Sequence, residues 1–304
     1  MEKKKNGLWL YVLLTFALTW THMFAVVYPA AGGSTQVYQL LVMGCMFFPT
    51  ACMLLTRLLK REGFTDLLIR PRLKGNGKYY LIAYLGLPAM VLLGAALYYI
   101  LFPDKLDWSA PILRQQMAAA GTPYEAQAVP MKTILLLQCV QAILLAGIIN
   151  IIPSLGEEWG WRGYMMPRLM ETMRPIPALL VGGVIWGLWH APIVALGHNY
   201  GTGYPGWPWG GIGAMCVFCT ALGILLTWLT EKTGSCIPAA VAHGALNGTA
   251  AVGLLVSADG GNPFIGPTPT GIIDGLPLLI AAVFAVRRLV KGPKAAEDPR
   301  RERT

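Results

Sequence analysis

Long apolar runs, separated by short polar segments, fill most of the chain. The hydrocarbon core of a bilayer is about 30 Å thick, and a helix of about 20 apolar residues crosses it. The runs therefore predict an all-α, polytopic membrane protein with about eight transmembrane helices. We place the spans at about residues 8–28, 37–56, 79–102, 133–153, 177–196, 210–230, 236–256 and 272–290.

Basic residues support this count, because loops on the cytoplasmic side of a membrane are rich in Lys and Arg. With eight spans both termini lie in the cytoplasm, and 21 of the 24 basic residues then fall on that side. Lys105, Arg114 and Lys132 fall on the outer side. We expect a multi-pass protein of the cell membrane with both termini cytoplasmic.

The composition fits a lipid environment. Of the 304 residues, 55% are hydrophobic and 13% are charged, and the mean hydropathy is +0.52. The net charge of +9 follows from the topology and from attraction to anionic lipid, so no nucleic-acid partner is needed to explain it. The six cysteines lie within or at the end of apolar runs, and we interpret Cys216-x-x-Cys219 as packing.

The pattern predicts a single integral membrane domain over residues 1–304. The longest outer loop, from Pro103 to Met131, carries scattered charge and nothing typical of a separate domain. Residues 291–304 are highly charged, which predicts a disordered cytoplasmic tail. The chemically distinctive residues cluster in a core at about residues 133–256.

Several polar side chains interrupt the apolar second half of the chain. Such groups are costly inside a bilayer and usually serve a function. They are Glu157, Glu158, Arg162, His190, His243 and Asn247. A carboxylate base, two imidazoles and an amide can together activate water against a carbonyl, so the set favours a hydrolase that works in the membrane.

Spacing separates the two glutamates. Glu158 and Arg162 are four residues apart, which predicts an ion pair on one helix face, whereas Glu157 points about 100° away. In an alternative interpretation, Ser154 and Glu157 form a capping box, and Glu157 only caps a helix.

The histidines have a structural interpretation too. His190 could simply hydrogen-bond to a neighbouring helix. His243 and Asn247, however, are four residues apart and share a face. Because these groups lie on different spans from the glutamates, we favour one convergent site.

The order and spacing of these residues resemble the CPBP family of intramembrane endopeptidases, named for CAAX proteases and bacteriocin-processing proteins. The resemblance covers about residues 151–252. The family usually has Phe where this chain has Trp186, and the bulkier ring bears on substrate fit. The motifs are Glu157-Glu158-x-x-x-Arg162 followed by Gly163-Tyr164, then Trp186-x-x-x-His190, and then His243-x-x-x-Asn247.

The resemblance implies a role for each motif residue. Glu157 would be the catalytic glutamate, and Glu158 and Arg162 its structural support. His190 would take part in activating water. The polarising pair would be His243 and Asn247, and the substrate would be a membrane-associated or lipidated, CAAX-like peptide.

Two mechanisms stay open. In the first, Glu157 takes a proton from water, and His243 and Asn247 stabilise the oxyanion. In the second, Glu157, His190 and His243 hold Zn²⁺, since two histidines and a glutamate form a catalytic zinc set. Asparagine is a poor zinc ligand, so we favour the mechanism without metal. A proton or cation transporter and a non-catalytic immunity protein are the alternatives from other classes, and we find no internal repeat of transporter type.

Depth in the membrane poses a problem for a convergent site. With the spans above, Glu157 lies near the inner surface, and His190 lies about 20 Å deeper. A re-entrant segment at Pro153 and Gly156 would bring them together, and so would a strong helix tilt.

Overall fold

The computed structural model describes residues 7–290, apart from the side chain of Ala146. In this range the fold is helical, with two isolated β-bridges and no strand. The predicted disordered tail, residues 291–304, lies outside the described residues. The first helices are α1 (Leu8–His22), α2 (Tyr28–Ala30), α3 (Thr35–Cys45), α4 (Phe48–Lys60) and α5 (Gly77–Leu101). They are followed by α6 (Pro111–Ala119), α7 (Met131–Ile149), α8 (Ile151–Gly160), α9 (Met166–Thr172), α10 (Pro175–Trp189), α11 (Ala191–Ala195), α12 (Trp209–Thr233), α13 (Ile237–Thr249) and α14 (Leu276–Val290).

The helices confirm an all-α, polytopic membrane protein. Within residues 7–290 a helix occurs at each of the eight expected spans, and five segments are long and apolar enough to cross a membrane unaided. At the expected fifth span, α10 (Pro175–Trp189) is a shorter apolar helix of 15 residues. The five segments are Leu8–Ala30, Thr35–Lys60, Gly77–Leu101, Trp209–Thr233 and Ile237–Val256.

Two expected boundaries are wrong. The fourth span ends at Ile149, where Asn150 separates α7 from α8, and the fifth ends at Trp189, where His190 is the C-terminal cap of α10. Apolar residues continue across both breaks, so hydropathy gives no sign of them. As a consequence, Glu157 belongs to a separate helix rather than to the end of the fourth span.

The capping-box interpretation of Glu157 is also wrong. Ser154 lies inside α8, whose N-cap is Asn150, and the Ser154 hydroxyl has no hydrogen-bond partner among the described residues. After Gly160 the chain continues through a π-helical turn, Trp161–Met165, into α9. The Glu-Glu-x-x-x-Arg motif therefore spans the junction of an α-helix with a π-helical turn.

A polar cluster around Glu62 fastens α9 to the loop after α4. One carboxylate oxygen accepts hydrogen bonds from the Gly7 amide, at 2.8 Å, and from the Tyr164 hydroxyl, at 3.0 Å. The other oxygen pairs with Arg168 at 2.6 Å. Charge-assisted hydrogen bonds of this length are strong. They therefore fix the position of the π-helical turn and of α9, which carry Tyr164 and Arg168.

Close helix packing places the remaining site helices. α8 packs on α4 and α13, and α10 packs along α12. Gly183 and Gly187 of α10 face Thr220 and Cys216 of α12, where a Cβ on either glycine would overlap the opposing backbone. Small residues permit such an approach between membrane helices. The Cys216-x-x-Cys219 pair accordingly lies on a packing surface.

Candidate active site

Glu157 is a buried carboxylate held by two indoles. The residue is 2% exposed, and its Oε2 accepts hydrogen bonds from Trp161 Nε1 at 3.3 Å and Trp186 Nε1 at 2.9 Å. Its Oε1 has no hydrogen-bond partner among the described residues. The two donors orient the carboxylate and leave one oxygen available to a water molecule or a substrate.

Glu158 lies at the centre of a buried charge network. Arg162 Nη1 lies 3.1 Å from Glu158 Oε1 and 3.0 Å from Oε2, which confirms the ion pair predicted from their spacing. His243 Nδ1 lies 2.8 Å from the same Oε1, across 85 positions of sequence. Because Nδ1 is engaged, Nε2 is the ring nitrogen of His243 left for substrate, water or metal.

Trp186 connects Glu157 to Arg162 and His243, the two partners of Glu158. In addition to its hydrogen bond to Glu157, its ring lies under the Arg162 guanidinium at 4.1 Å and meets the His243 ring edge-on at 5.4 Å. Cation–π and edge-to-face contacts of this kind are favourable in a desolvated site. The position where the family usually has Phe therefore contributes a donor that Phe lacks.

His190 lies at the end of α10, half-buried. Its Nδ1 is 2.9 Å from the Trp186 carbonyl oxygen and 3.8 Å from Cys219 Sγ. A carbonyl only accepts, so this contact assigns the proton to Nδ1 and leaves Nε2 as an acceptor. Trp186 contacts both His190 and Glu157, so the expected separation in depth of about 20 Å is wrong. The break at Asn150 removes the difficulty, since Glu157 lies on its own helix.

Asn247 differs from the other motif residues because its side chain is exposed. It lies one turn beyond His243 on α13, and its amide has no hydrogen-bond partner in residues 7–290. His243 itself is 5% exposed. The amide is therefore free to donate to a molecule that binds beside α13.

The possible metal ligands differ from the set considered from the sequence. In the described part of the chain, one ligand atom each from Glu157, Glu158 and His243 lie within 4.8 Å of one another. His190 is not a member of this group. Glu158 is already paired with Arg162 and His243.

Two contributors escaped the sequence argument. Trp161 donates to Glu157 from four positions along the same helical segment, so helical spacing could have identified it. Asn150 donates through Nδ2 to the Gly244 carbonyl at 3.3 Å and thereby ties the break before α8 to α13. Nothing local in the sequence indicates that contact.

Comparison with known proteins agrees with the motif order. A family model described as Type II CAAX prenyl endopeptidase Rce1-like matches residues 139–249, which include α8, α10 and α13. The chain is also 24% identical over 239 residues to CAAX prenyl protease 2 of Methanococcus maripaludis. That match covers 76% of this chain and 79% of the relative. The motif residues, the membrane-type helical fold and these two similarities together support the CPBP family of CAAX-type proteases and a peptidase activity.

Proposed function

We propose that this peptidase hydrolyses a peptide bond in a membrane-associated or lipidated substrate with water activated by Glu157. The main support is the asymmetry of that carboxylate: Trp161 and Trp186 both donate to Oε2, and Oε1 has no partner among the described residues. A general base needs one oriented oxygen within reach of the water. Glu158 is instead held in an ion pair, since Arg162 lies against both of its oxygens and His243 Nδ1 lies against Oε1.

The proposed reaction begins when Glu157 Oε1 takes a proton from water. The resulting hydroxide attacks the scissile carbonyl carbon, and the carbonyl oxygen becomes an oxyanion. Glu157 then returns the proton to the leaving nitrogen as the C–N bond breaks. The cycle consumes one water and restores the carboxylate.

Four other residues assist in this scheme. His190 Nε2 accepts a hydrogen bond from the attacking water, since Nδ1 is engaged by a carbonyl. His243 and Asn247 donate to the oxyanion, and the Glu158 carboxylate stabilises the protonated imidazole that this requires. Each such donor is worth about 3 kcal/mol in the transition state.

The test compares Glu157→Gln with Glu171→Gln in purified protein. Glu171 is an exposed glutamate on α9, which makes it a matched control. Gln accepts the same indole hydrogen bonds but cannot take the proton, so we expect cleavage to be abolished and the melting temperature to be kept. Turnover by Glu157→Gln close to that of the control would refute the assignment.

For the substrate, we infer a CAAX-like tail from the names of the relatives. The relative from Methanococcus maripaludis is named CAAX prenyl protease 2. The expected result is cleavage of a synthetic prenylated CAAX peptide, with slower cleavage of the unprenylated peptide. Equal rates for the two peptides would remove lipidation from the substrate definition without affecting the role of Glu157.

Zinc-dependent hydrolysis is the second candidate, supported by the clustering of Glu157, Glu158 and His243. Catalytic zinc takes three protein ligands. Arg162 and His243 Nδ1 engage Glu158, so Glu157 Oε1 and His243 Nε2 are the ligand atoms left in the cluster. Two ligands fall short of three, and the Arg162 charge opposes a second cation, so we favour the reaction without metal.

Chelation separates the two candidates. The favoured mechanism predicts unchanged activity after treatment with a strong chelator and no stoichiometric zinc in elemental analysis. A zinc enzyme would lose activity and regain it on addition of metal. One equivalent of zinc that tracks activity would establish the second candidate.

We further propose that both termini are cytoplasmic, because this arrangement places 21 of 24 basic residues on the inner side. Single cysteines at Thr65 and Gln115, both exposed, test it in a background without native cysteines. We expect an impermeant reagent added outside cells to label position 115 and to spare position 65. The reverse pattern would invert the proposed topology.

A further inference from the structure

A groove of about 400 Å³ lies between α5, α12 and α14. Its walls are apolar and include Leu87 and Met90 of α5, Leu225 of α12 and Ala242 of α13. The volume falls in the range of roughly 300–1,000 Å³ that ligand sites occupy. The groove is distinct from the candidate active site, although Ala242 immediately precedes His243.

The groove is open to the outer surface of the helix bundle. Ile82 on one rim is 44% exposed, and Phe284 on the other is 60% exposed. In a helix bundle of this apolarity, exposed apolar side chains within a span face lipid. A molecule can therefore enter the groove from the bilayer.

The lining also contains two hydrogen-bond donors that lack acceptors. Arg288, in the last turn of α14, is exposed and has no hydrogen-bond or ion-pair partner among residues 7–290. The indole nitrogen of Trp228 is buried and likewise without a partner in that range. A buried donor without an acceptor calls for an explanation, and a bound ligand supplies one.

More positive charge lies at the Trp228 end of the groove. Tyr79 meets the Trp228 ring edge-on at 5.7 Å, and the Lys78 ammonium lies 5.1 Å from the Tyr79 ring. Basic residues next to a membrane surface attract anionic head groups. The groove thus combines an apolar wall long enough for a chain with a cationic end.

We propose that this groove binds an anionic phospholipid of the bilayer. One acyl chain lies along the wall formed by α5, α12 and α14, and the phosphate lies beside Arg288. The Trp228 indole gains an acceptor from the polar part of the lipid. An isoprenoid chain would also fit the apolar wall, but it has no anionic group for Arg288. The charge therefore favours the phospholipid.

Native mass spectrometry of the detergent-purified full chain tests this proposal. Dioleoylphosphatidylglycerol and dioleoylphosphatidylcholine, which have the same chains and different head-group charge, are the probes. We expect one molecule of the anionic lipid to be retained about fivefold better than the zwitterionic one. Arg288→Gln should remove this preference, whereas Arg287→Gln, a change to the neighbouring exposed arginine, should keep it.

A second variant fills the groove. A Cβ at Gly86 would meet the Ile82 side chain at an ordinary 3.5 Å, so Gly86→Leu should fold and project into the space. We expect it to reduce retention of both lipids at least fivefold. Gly44→Leu, at a helical glycine with open space around it, is the control.

Three results would overturn the proposal. The first is equal retention of the two lipids by the wild type, and the second is an unchanged preference in Arg288→Gln. The third is a Gly86→Leu protein that retains the anionic lipid normally but shows a raised KM for a prenylated peptide, which would assign the groove to the substrate chain. None of the lipid measurements depends on cleavage, so their outcome is independent of the proposed role of Glu157.

Discussion

The first two apolar spans, Leu8–Ala30 and Thr35–Lys60, and the later pair, Trp209–Thr233 and Ile237–Val256, are similarly apolar but differ in how much of each is buried inside the protein. In the most apolar stretches of Leu8–Ala30 and Thr35–Lys60, 28% of the residues are buried inside the protein. The corresponding share is 61% in Trp209–Thr233 and 50% in Ile237–Val256. Apolar composition therefore predicts insertion into a membrane, but it does not distinguish a helix that faces lipid from one that faces protein.

The buried glutamate–histidine pair of the site lies on α13 and on a helix that packs against it. His243 lies on α13, and its partner Glu158 lies on α8, which packs against α13. A charge in such a place must be paired within the protein, whereas an exposed charge can find water or lipid head groups. Equivalent substitutions should accordingly have unequal effects in the two kinds of region.

The largest difference should come from removing a paired glutamate. Glu158→Ala leaves Arg162 and His243 as buried, unpaired groups, and we expect a loss of about 3–5 kcal/mol in the free energy of unfolding together with loss of cleavage. Glu125→Ala breaks an exposed pair with Arg114 and should leave both unchanged. Unfolding titrations in SDS measure the difference. Equal stability of the two variants would show that burial does not increase the contribution of the Glu158 ion pair.

Asn247 separates an effect on catalysis from an effect on stability, because it is an exposed residue on a largely buried helix. Asn247→Ala should lower kcat by about 10²-fold, or about 2.7 kcal/mol in the barrier, since it removes an oxyanion donor. KM and the melting temperature should hardly change, because the amide has no partner within residues 7–290. A variant that loses stability in proportion to activity would show a structural role instead.

Two glycines test the same difference between a buried and an open position through helix packing rather than charge. Gly183→Ala places a methyl group against Thr220 of α12 and should cost about 1–3 kcal/mol of stability. Gly44→Ala, with open space around it on α3, should be neutral or stabilise the helix by up to about 1 kcal/mol. Thermal unfolding of the two single variants in one detergent is sufficient. A neutral Gly183→Ala would mean that α10 and α12 are less closely packed than described.

The smallest effect should be the pH dependence of the ion pair between Asp66, in the loop after α4, and Arg57, in the last turn of α4. Burial raises the pKa of the Asp66 carboxyl, but the hydrogen bond and charge of Arg57 outweigh it, so the net pKa lies below the usual value. The pair therefore stabilises the fold above about pH 4 and is lost as the pH falls through the lower folded-state pKa. Asp66→Asn should flatten the acid side of a melting-temperature profile. Asp104→Asn, at an exposed loop carboxyl, should not.

Helix positions and the first ion pair could be predicted because their signals are local. Apolar runs indicate the spans to within a few residues at most boundaries, and the spacing of Glu158 and Arg162 determines which face they share. The motif order identifies the family. The spans and the ion pair follow from residues that are near one another in sequence, and the family follows from the known order of its motifs.

The rest depends on tertiary contacts that no local pattern encodes. The hydrogen bond between His243 and Glu158 joins residues on helices that hydropathy treats as unrelated. The break at Asn150 occurs within an apolar run and is fastened by Gly244 of α13. The four-residue spacing of Glu157 and Trp161 predicts that they share a helix face, but aromatic residues are common in membrane helices. Only the structure shows that Trp161 donates a hydrogen bond to Glu157.

The glycine contacts between α10 and α12 carry an evolutionary consequence. Each glycine faces one particular residue across the seam, Gly183 against Thr220 and Gly187 against Cys216. Each overlap involves backbone atoms of α12, so a smaller side chain at position 216 or 220 would not make room for a larger residue on α10. Positions 183 and 187 should therefore remain glycine among homologues, whatever residues stand opposite them. Two invariant glycines four residues apart would then mark this helix contact in the sequences alone.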